Sequence, residues 1–172
     1  MPKATGFGRK KRSEEDALSG IMSGRQTILM VEDDPAEANL VRIACADLLH
    51  NIDLVVLGDG EAAIRYIDGS FEHFDAPIPD LILLDLNLPG VDGFEVLRHL
   101  KSGSRMKSVP VIVFSTTQDP RHIRAAYEQM ASCFIGKPRD LDDYTRVCQS
   151  IHAFWFRTAT LAPASATHHV RQ

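Results

Sequence analysis

Five short apolar runs punctuate the chain, and each ends on polar residues or on a turn. Thr27-Ile28-Leu29-Met30-Val31 runs into Glu32-Asp33-Asp34, and Asp53-Leu54-Val55-Val56-Leu57 runs into Gly58-Asp59-Gly60. Leu81-Ile82-Leu83-Leu84 runs into Asp85, Val111-Ile112-Val113-Phe114 into Ser115-Thr116, and Cys133-Phe134-Ile135-Gly136 into Lys137-Pro138. Apolar stretches this short and unbroken predict strands buried on both faces, here at about 27–31, 53–57, 80–84, 111–114 and 132–135. Helix signals fill the gaps, near 35–49, 61–69, 93–101, 120–130 and from Asp140 to about Arg157. Pro35 suits a first helical turn, where its missing N–H would have had no partner. Asp119-Pro120 can cap and start a helix, while Pro89-Gly90 and Asp92-Gly93 mark a turn. Five strands alternating with five helices predict an α/β fold. A parallel sheet with helices on both faces and right-handed crossovers favours a doubly wound order.

Composition changes this picture little. The chain has 172 residues, 44% apolar and 24% charged, with a formal net charge of −4. One domain of this size buries about 68–70% of its unfolded surface and needs no staple. Residues 1–24 and 158–172 lack periodicity and read as disordered tails around one domain at 25–157. Arg9-Lys10-Lys11-Arg12 is the one basic cluster. The negative balance argues against nucleic acid as a partner. No apolar run approaches ~18 residues, so no membrane span is expected, and no apolar region follows the basic N-terminus to make a secretory signal. Cys45, Cys133 and Cys148 lack CxxC spacing and read as reduced thiols of a cytoplasmic protein.

The strand ends carry the candidate chemistry. In open α/β sheets ligands bind outside the carboxyl edge of the strands. Parallel strands would bring the acids after the first run, Asp85, Ser115-Thr116 and Lys137 to that edge. Asp34 fits a helix cap before Pro35, which leaves Glu32 and Asp33 free to face Asp85. Two carboxylates ~4 Å apart repel by ~4 kcal/mol at an effective dielectric of 20. A cation reverses that penalty, and an all-oxygen set favours Mg²⁺. Asp85 then reads as a metal ligand, a nucleophile that accepts a phosphoryl group, or both. Lys137 can pair with a phosphoryl oxygen or with Asp85. Ser115, and more weakly Thr116, offer hydroxyls. Pro138 is a candidate cis-proline that would aim Lys137. A fragment near the dinucleotide fingerprint, Gly58-Asp-Gly60-Glu-Ala-Ala63 with Asp80 downstream, leaves the acidic cluster unexplained and is set aside.

Taken together, these segments resemble the receiver domain of bacterial two-component response regulators, over roughly residues 25–155. The motifs are Ile28-Leu29-Met30-Val31-Glu32-Asp33-Asp34-Pro35, Leu83-Leu84-Asp85-Leu86-Asn87-Leu88-Pro89-Gly90-Val91-Asp92-Gly93-Phe94, Val113-Phe114-Ser115-Thr116 and Lys137-Pro138. The resemblance implies a flavodoxin-like sheet in the order 2-1-3-4-5. It implies Asp85 as phosphoacceptor, with Asp33 on Mg²⁺ directly, Glu32 through water and Asn87 through its backbone carbonyl. It also implies Ser115 as the switch hydroxyl, Lys137 as the phosphoryl partner and Phe134 as the aromatic that changes rotamer. The sequence departs from the family where Phe134 lacks a tyrosine hydroxyl, where Ser115 replaces threonine, and where Met130 replaces a helix-ending glycine. That last change predicts an altered loop into the fifth strand.

The implied protein is a single-domain switch, phosphorylated by a sensor histidine kinase and signalling through the fourth helix, fifth strand and fifth helix. In the last helix Leu141, Tyr144, Cys148, Ile151 and Trp155 should pack on the sheet. Val147, Phe154 and Phe156 fall off that stripe, and with Trp155 they form a candidate homodimer surface. Phe154-Trp155-Phe156 and Ser115-Thr116-Thr117 also resemble stand-alone regulators paired with phytochrome-type kinases, so a bacteriophytochrome is the candidate kinase. Two rivals remain. One is a Mg²⁺-dependent phosphohydrolase with an aspartyl nucleophile, weakened by Asn87 where a second aspartate is usual. The other is a receiver-like interaction module that takes no phosphate, against which the complete acidic set argues.

Overall fold

The structure is a computed structural model that describes residues 25–48, 52–70 and 77–162. The expected N-terminal tail, residues 49–51 and positions 163–172 lie outside the described residues. Five strands, β1 (Gln26–Val31), β2 (Ile52–Leu57), β3 (Leu81–Leu84), β4 (Val111–Ser115) and β5 (Cys133–Gly136), form one parallel sheet in the order β2-β1-β3-β4-β5. Between them run α1 (Pro35–Ala44), α2 (Gly60–Asp68), α3 (Gly93–Lys101) and α4 (Pro120–Glu128), and α5 (Leu141–His152) follows β5. The expected order and alternation are those observed.

Alternation along the strands divides the core in two. Leu29, Val31, Ile82, Leu84, Val111 and Val113 face α2, α3 and α4. Their neighbours Ile28, Met30, Leu81, Leu83, Ile112 and Phe114 face α1 and α5. Successive side chains of a strand point to opposite faces, so one unbroken apolar run serves both layers. Burial is complete in β3 and β4 and nearly so in β1, whereas β2 and β5 at the sheet edges are mostly half-buried.

Aspartates start each of the α-helices α1 to α5. The carboxylates of Asp34, Asp59, Asp92, Asp119 and Asp140 each accept a backbone N–H from the first turn. Such a cap satisfies donors that have no partner inside the helix, and losing one costs ~1 kcal/mol. Asp80, the acid of the discarded fingerprint, accepts the Thr27 N–H at 2.7 Å and ties the start of β1 to the β3 entry. Gly60 is small for a packing reason: a Cβ there would lie 2.1 Å from the Val91 carbonyl oxygen.

Several expectations need correction. The first helix closes at Ala44, because the Ala46 and Leu48 N–H groups bond three residues back, to Ile43 O and Cys45 O, in tight turns. Met130 ends α4 in the conformation a glycine would take. It adopts φ 64°, the Met130 N–H reaches Tyr127 O at 2.9 Å and the Ala131 N–H reaches Ala126 O at 3.0 Å. That is a Schellman ending with methionine in the left-handed position that glycine usually takes. The bond before Pro138 is trans, since no cis peptide occurs among the described residues. Trans is the lower-energy form, and Lys137 is aimed instead by its own N–H, bonded to Ser115 O at 2.9 Å.

The last helix also differs. After His152 the chain widens into a π-helical turn, Ala153–Thr158, in which the Thr158 hydroxyl bonds Ala153 O and the Ala159 N–H bonds Phe154 O. The wider turn breaks the 3-4-3-4 stripe. Tyr144, Cys148 and Ile151 are buried, but Leu141 at the helix start is exposed. Phe156, expected off the stripe, packs on the core beside Val147 and Trp155, whereas Phe154 points out with 55% of its surface exposed.

Candidate functional site at the carboxyl edge of the sheet

Ladder hydrogen bonds continue one residue beyond the strands and set the site. The Glu32 N–H bonds Leu57 O at 2.9 Å, and the Asp85 N–H bonds Val31 O at 3.1 Å. β3 lies between β1 and β4, so Asp85 stands between the acids that follow β1 and the hydroxyl that ends β4. Lys137 leaves β5, and its side chain crosses the end of β4 to reach Asp85.

Oxygen atoms of Glu32, Asp33 and Asp85 all lie within 4.8 Å of one another. Glu32 and Asp85 are buried, and Asp33 is exposed. Lys137 Nζ stands 2.7 Å from Glu32 Oε2 and 2.8 Å from Asp85 Oδ2. The second contact is a hydrogen bond. The first is a close ionic contact without hydrogen-bond alignment, so the buried Oε2 of Glu32 has no directed donor. Glu32 Oε1 accepts the Asp34 N–H at 3.3 Å, and Asp85 Oδ1 accepts the Asn87 N–H at 3.0 Å.

The electrostatics follow from burial and charge count. Burial pushes the Glu32 carboxyl above its ordinary range, more than the close Lys137 ammonium pulls it down. Burial also works against the Lys137 ammonium, but its hydrogen bond to Asp85 and its ionic contact with Glu32 outweigh that and hold it above the usual lysine range. Three carboxylates against one ammonium leave two negative charges in a small space. That excess, the undirected Glu32 oxygen and an all-oxygen donor set fit a hard divalent cation held by few protein ligands.

Ser115 is fully buried at the end of β4, whereas Thr116 beside it is exposed. The Asn87 side-chain amide reaches Thr116 Oγ1 at 3.2 Å and Ser115 Oγ at 3.4 Å. The resemblance assigns Asn87 a role only through its backbone carbonyl, and its side chain counts in the sequence only against a phosphohydrolase. Its side-chain role was not readable, because it depends on where β4 ends relative to β3. Gly93 was read as a turn signal, but its stronger reason is tertiary. A Cβ there would lie 2.1 Å from the Asp85 carbonyl oxygen, so glycine lets α3 start directly against the Asp85 loop. Phe134 is half-buried against the core formed with α2, α3 and α4, and its N–H donates to the Tyr127 hydroxyl at 3.2 Å. Val147, Phe154, Trp155 and Phe156 lie on and beyond α5, apart from this cluster.

Known proteins resemble this chain in sequence and fold. Residues 28–149 match the response regulator receiver domain family. The chain is 38% identical over 139 residues to response regulator Rcp1 of Synechocystis sp., covering 81% of this chain and 95% of the relative. A crystal structure of the Mn²⁺-bound form of Rcp1 superposes with a TM-score of 0.74 at 38% identity, covering 80% of this chain and 99% of that one. The phosphorylated cyanobacterial phytochrome response regulator RcpA superposes with a TM-score of 0.76 at 38% identity, with the same coverage. With a carboxylate cluster at the carboxyl edge of a 2-1-3-4-5 sheet and a family match across most of its length, this chain belongs to the response regulator receiver domain family and is similar to the phytochrome response regulators.

Proposed function

We propose that Asp85 accepts a phosphoryl group from the phosphohistidine of a sensor histidine kinase, and that the protein works as a switch rather than a turnover enzyme. The observation that carries this reading is the Lys137 ammonium, 2.8 Å from an Asp85 carboxylate that shares its niche with two further acids. An Asp85 oxygen attacks phosphorus, the phosphorus–nitrogen bond breaks and histidine leaves. The Asn87 N–H on Oδ1 fixes the carboxylate's orientation. Lys137 neutralises charge on the transferring oxygens, so catalysis is mainly positioning and electrostatics. Glu32, Asp33, Asp85 and the Asn87 carbonyl would hold Mg²⁺, which supplies charge neutralisation at the phosphoryl oxygens when bound.

The buried Ser115 hydroxyl then turns to a phosphoryl oxygen, with the exposed Thr116 as a weaker second donor. The space it leaves admits Phe134, and the surface of α4, β5 and α5 is remodelled, biasing a two-state equilibrium. Asn87 argues against phosphohydrolase turnover, because an amide N–H is far too weak an acid to protonate a leaving group and here it faces two hydroxyls. A bacteriophytochrome kinase in the cytoplasm is the partner this reading favours, supported by the similarity to Rcp1 and RcpA. A homodimer through the last helix is part of the same reading, with Phe154 at its surface and the half-buried Val147, Trp155 and Phe156 packed beneath it. The exposed Phe154, edge-to-face with Trp155 at 5.0 Å, supports it.

Acetyl phosphate with Mg²⁺, followed by intact-mass measurement, tests the acceptor. The wild-type chain should gain one phosphate and Asp85→Asn none. A gain that persists in Asp85→Asn would remove Asp85 from the role.

A further inference from the structure

We infer that Tyr144 is a positioning residue for the acidic niche: its hydroxyl, bonded to Glu37, ties α5 to the first turn of α1 and so keeps Lys137 in place against Glu32 and Asp33. The inference rests on the reading of that niche as a Mg²⁺ site. Tyr144 is buried in the first turn of α5. Its hydroxyl donates to the carboxylate of Glu37, which is half-buried in the first turn of α1. The Tyr144 ring meets Phe114 edge-to-face at 5.9 Å. Phe114 directly precedes Ser115 at the end of β4. One side chain thus touches α1, β4 and α5 at the carboxyl edge of the sheet.

Chain connectivity carries these contacts to the site. Glu37 follows Asp33 by four residues, through the Asp34 cap and Pro35. Tyr144 follows Lys137 by seven, through Pro138 and the Asp140 cap. Both links are short and capped, so a shift of α1 against α5 would draw the acids away from the ammonium. The contact between Lys137 and Glu32 lacks hydrogen-bond alignment and does not by itself fix that geometry. A phenylalanine ring would fill the same core position, and a buried hydroxyl costs free energy unless it is bonded. What the Tyr144 hydroxyl contributes is therefore its bond to Glu37. A hydrogen bond to a carboxylate is roughly twice as strong as one between neutral groups. Burial and the Glu37 carboxylate hold the phenol above its ordinary range, so it stays a donor at ordinary pH.

Isothermal titration of the full chain with Mg²⁺, with urea unfolding alongside, tests the inference. Tyr144→Phe keeps the ring against Phe114 and removes only the oxygen bonded to Glu37. It should weaken Mg²⁺ binding about tenfold, the low end of what losing an outer partner of a metal site costs. Glu37→Ala should match it, and the double variant should be little weaker than either. Glu37→Gln keeps an acceptor for the hydroxyl and should bind close to wild type. Glu37 is only half-buried, so its variants give the same reading should Tyr144→Phe unfold. Lower stability with unchanged Mg²⁺ affinity in Tyr144→Phe would make Tyr144 purely structural and overturn the inference. Glu37→Gln as weak as Glu37→Ala would also overturn it, because charge and not the bond would then set the affinity. A wild-type chain that takes no Mg²⁺ would remove the metal reading and this inference with it, an outcome distinct from equal binding by wild type and variant.

Discussion

Lys137 makes two ionic contacts inside the fold, and both partners are carboxylates that would otherwise repel each other. Its charge is present at all ordinary pH, since its ammonium is held above the usual lysine range. Asp33 is the third acid and lies outside this pairing. Without divalent cation, Asp33→Asn should therefore raise stability by up to about 1 kcal/mol, the repulsion of one charge pair ~4 Å apart at the dielectric of water. With Mg²⁺ the order should reverse, because only the wild type keeps the full ligand set and gains binding energy in the folded state. Denaturant midpoints with and without Mg²⁺ measure both halves. An unchanged wild-type midpoint at millimolar Mg²⁺ would count against the metal site. Asp119 presents a different acid. Its side-chain bond with Arg121, aided by the Arg121 N–H, holds the carboxyl down at about 2. A lowered carboxyl contributes stability above the ordinary carboxylate range and loses it as pH falls toward about 2. Carbon-detected NMR titration should find that low midpoint, and Arg121→Ala should move it up toward the ordinary range.

At the scale of elements, caps and turns follow local rules, and departures from those rules show where tertiary structure intervenes. The end of α4 keeps its Schellman geometry although the left-handed position is Met130. A left-handed conformation costs a side-chain-bearing residue about 1–2 kcal/mol, of which glycine's extra chain entropy offsets about 0.5–1 kcal/mol. Met130 is 60% exposed, so little burial is lost by removing it. Met130→Gly should therefore stabilise the chain by about 0.5–1 kcal/mol in urea unfolding. Equal or lower stability would mean that the methionine side chain contributes packing. The π-helical turn after α5 is the second departure. A helical spacing rule assumes a constant 3.6-residue turn, and Ala153–Thr158 breaks that assumption. That is why Phe156 packs inward against the expected stripe, while Phe154 points outward as expected.

For the whole molecule, the sheet divides the labour. α2, α3 and α4 cover one face, and α1 and α5 cover the other. The acidic niche lies at the carboxyl edge, with polar residues from β1, β3, β4 and β5 converging on it. The proposed dimer belongs to this scale, because it needs a surface formed by several turns together. Light scattering at micromolar protein should give twice the chain mass, and Phe154→Asp should shift the species toward monomer. A monomeric wild type with and without phosphorylation would remove the last helix as a dimer surface.

The order of elements, the helix caps and the polar residues at each strand end were legible in the linear chain. Apolar runs, prolines and aspartates act over a few neighbouring positions, and their rules are local. The acids after β1, Asp85, Ser115 and Lys137 could be read as a group because parallel strands deliver their carboxyl ends to one edge. Other features became visible only once the strands had packed: the Asn87 side chain across to β4 and Gly93 against the Asp85 carbonyl. Each of these rests on distances between segments remote in sequence, and no local spacing rule encodes such distances.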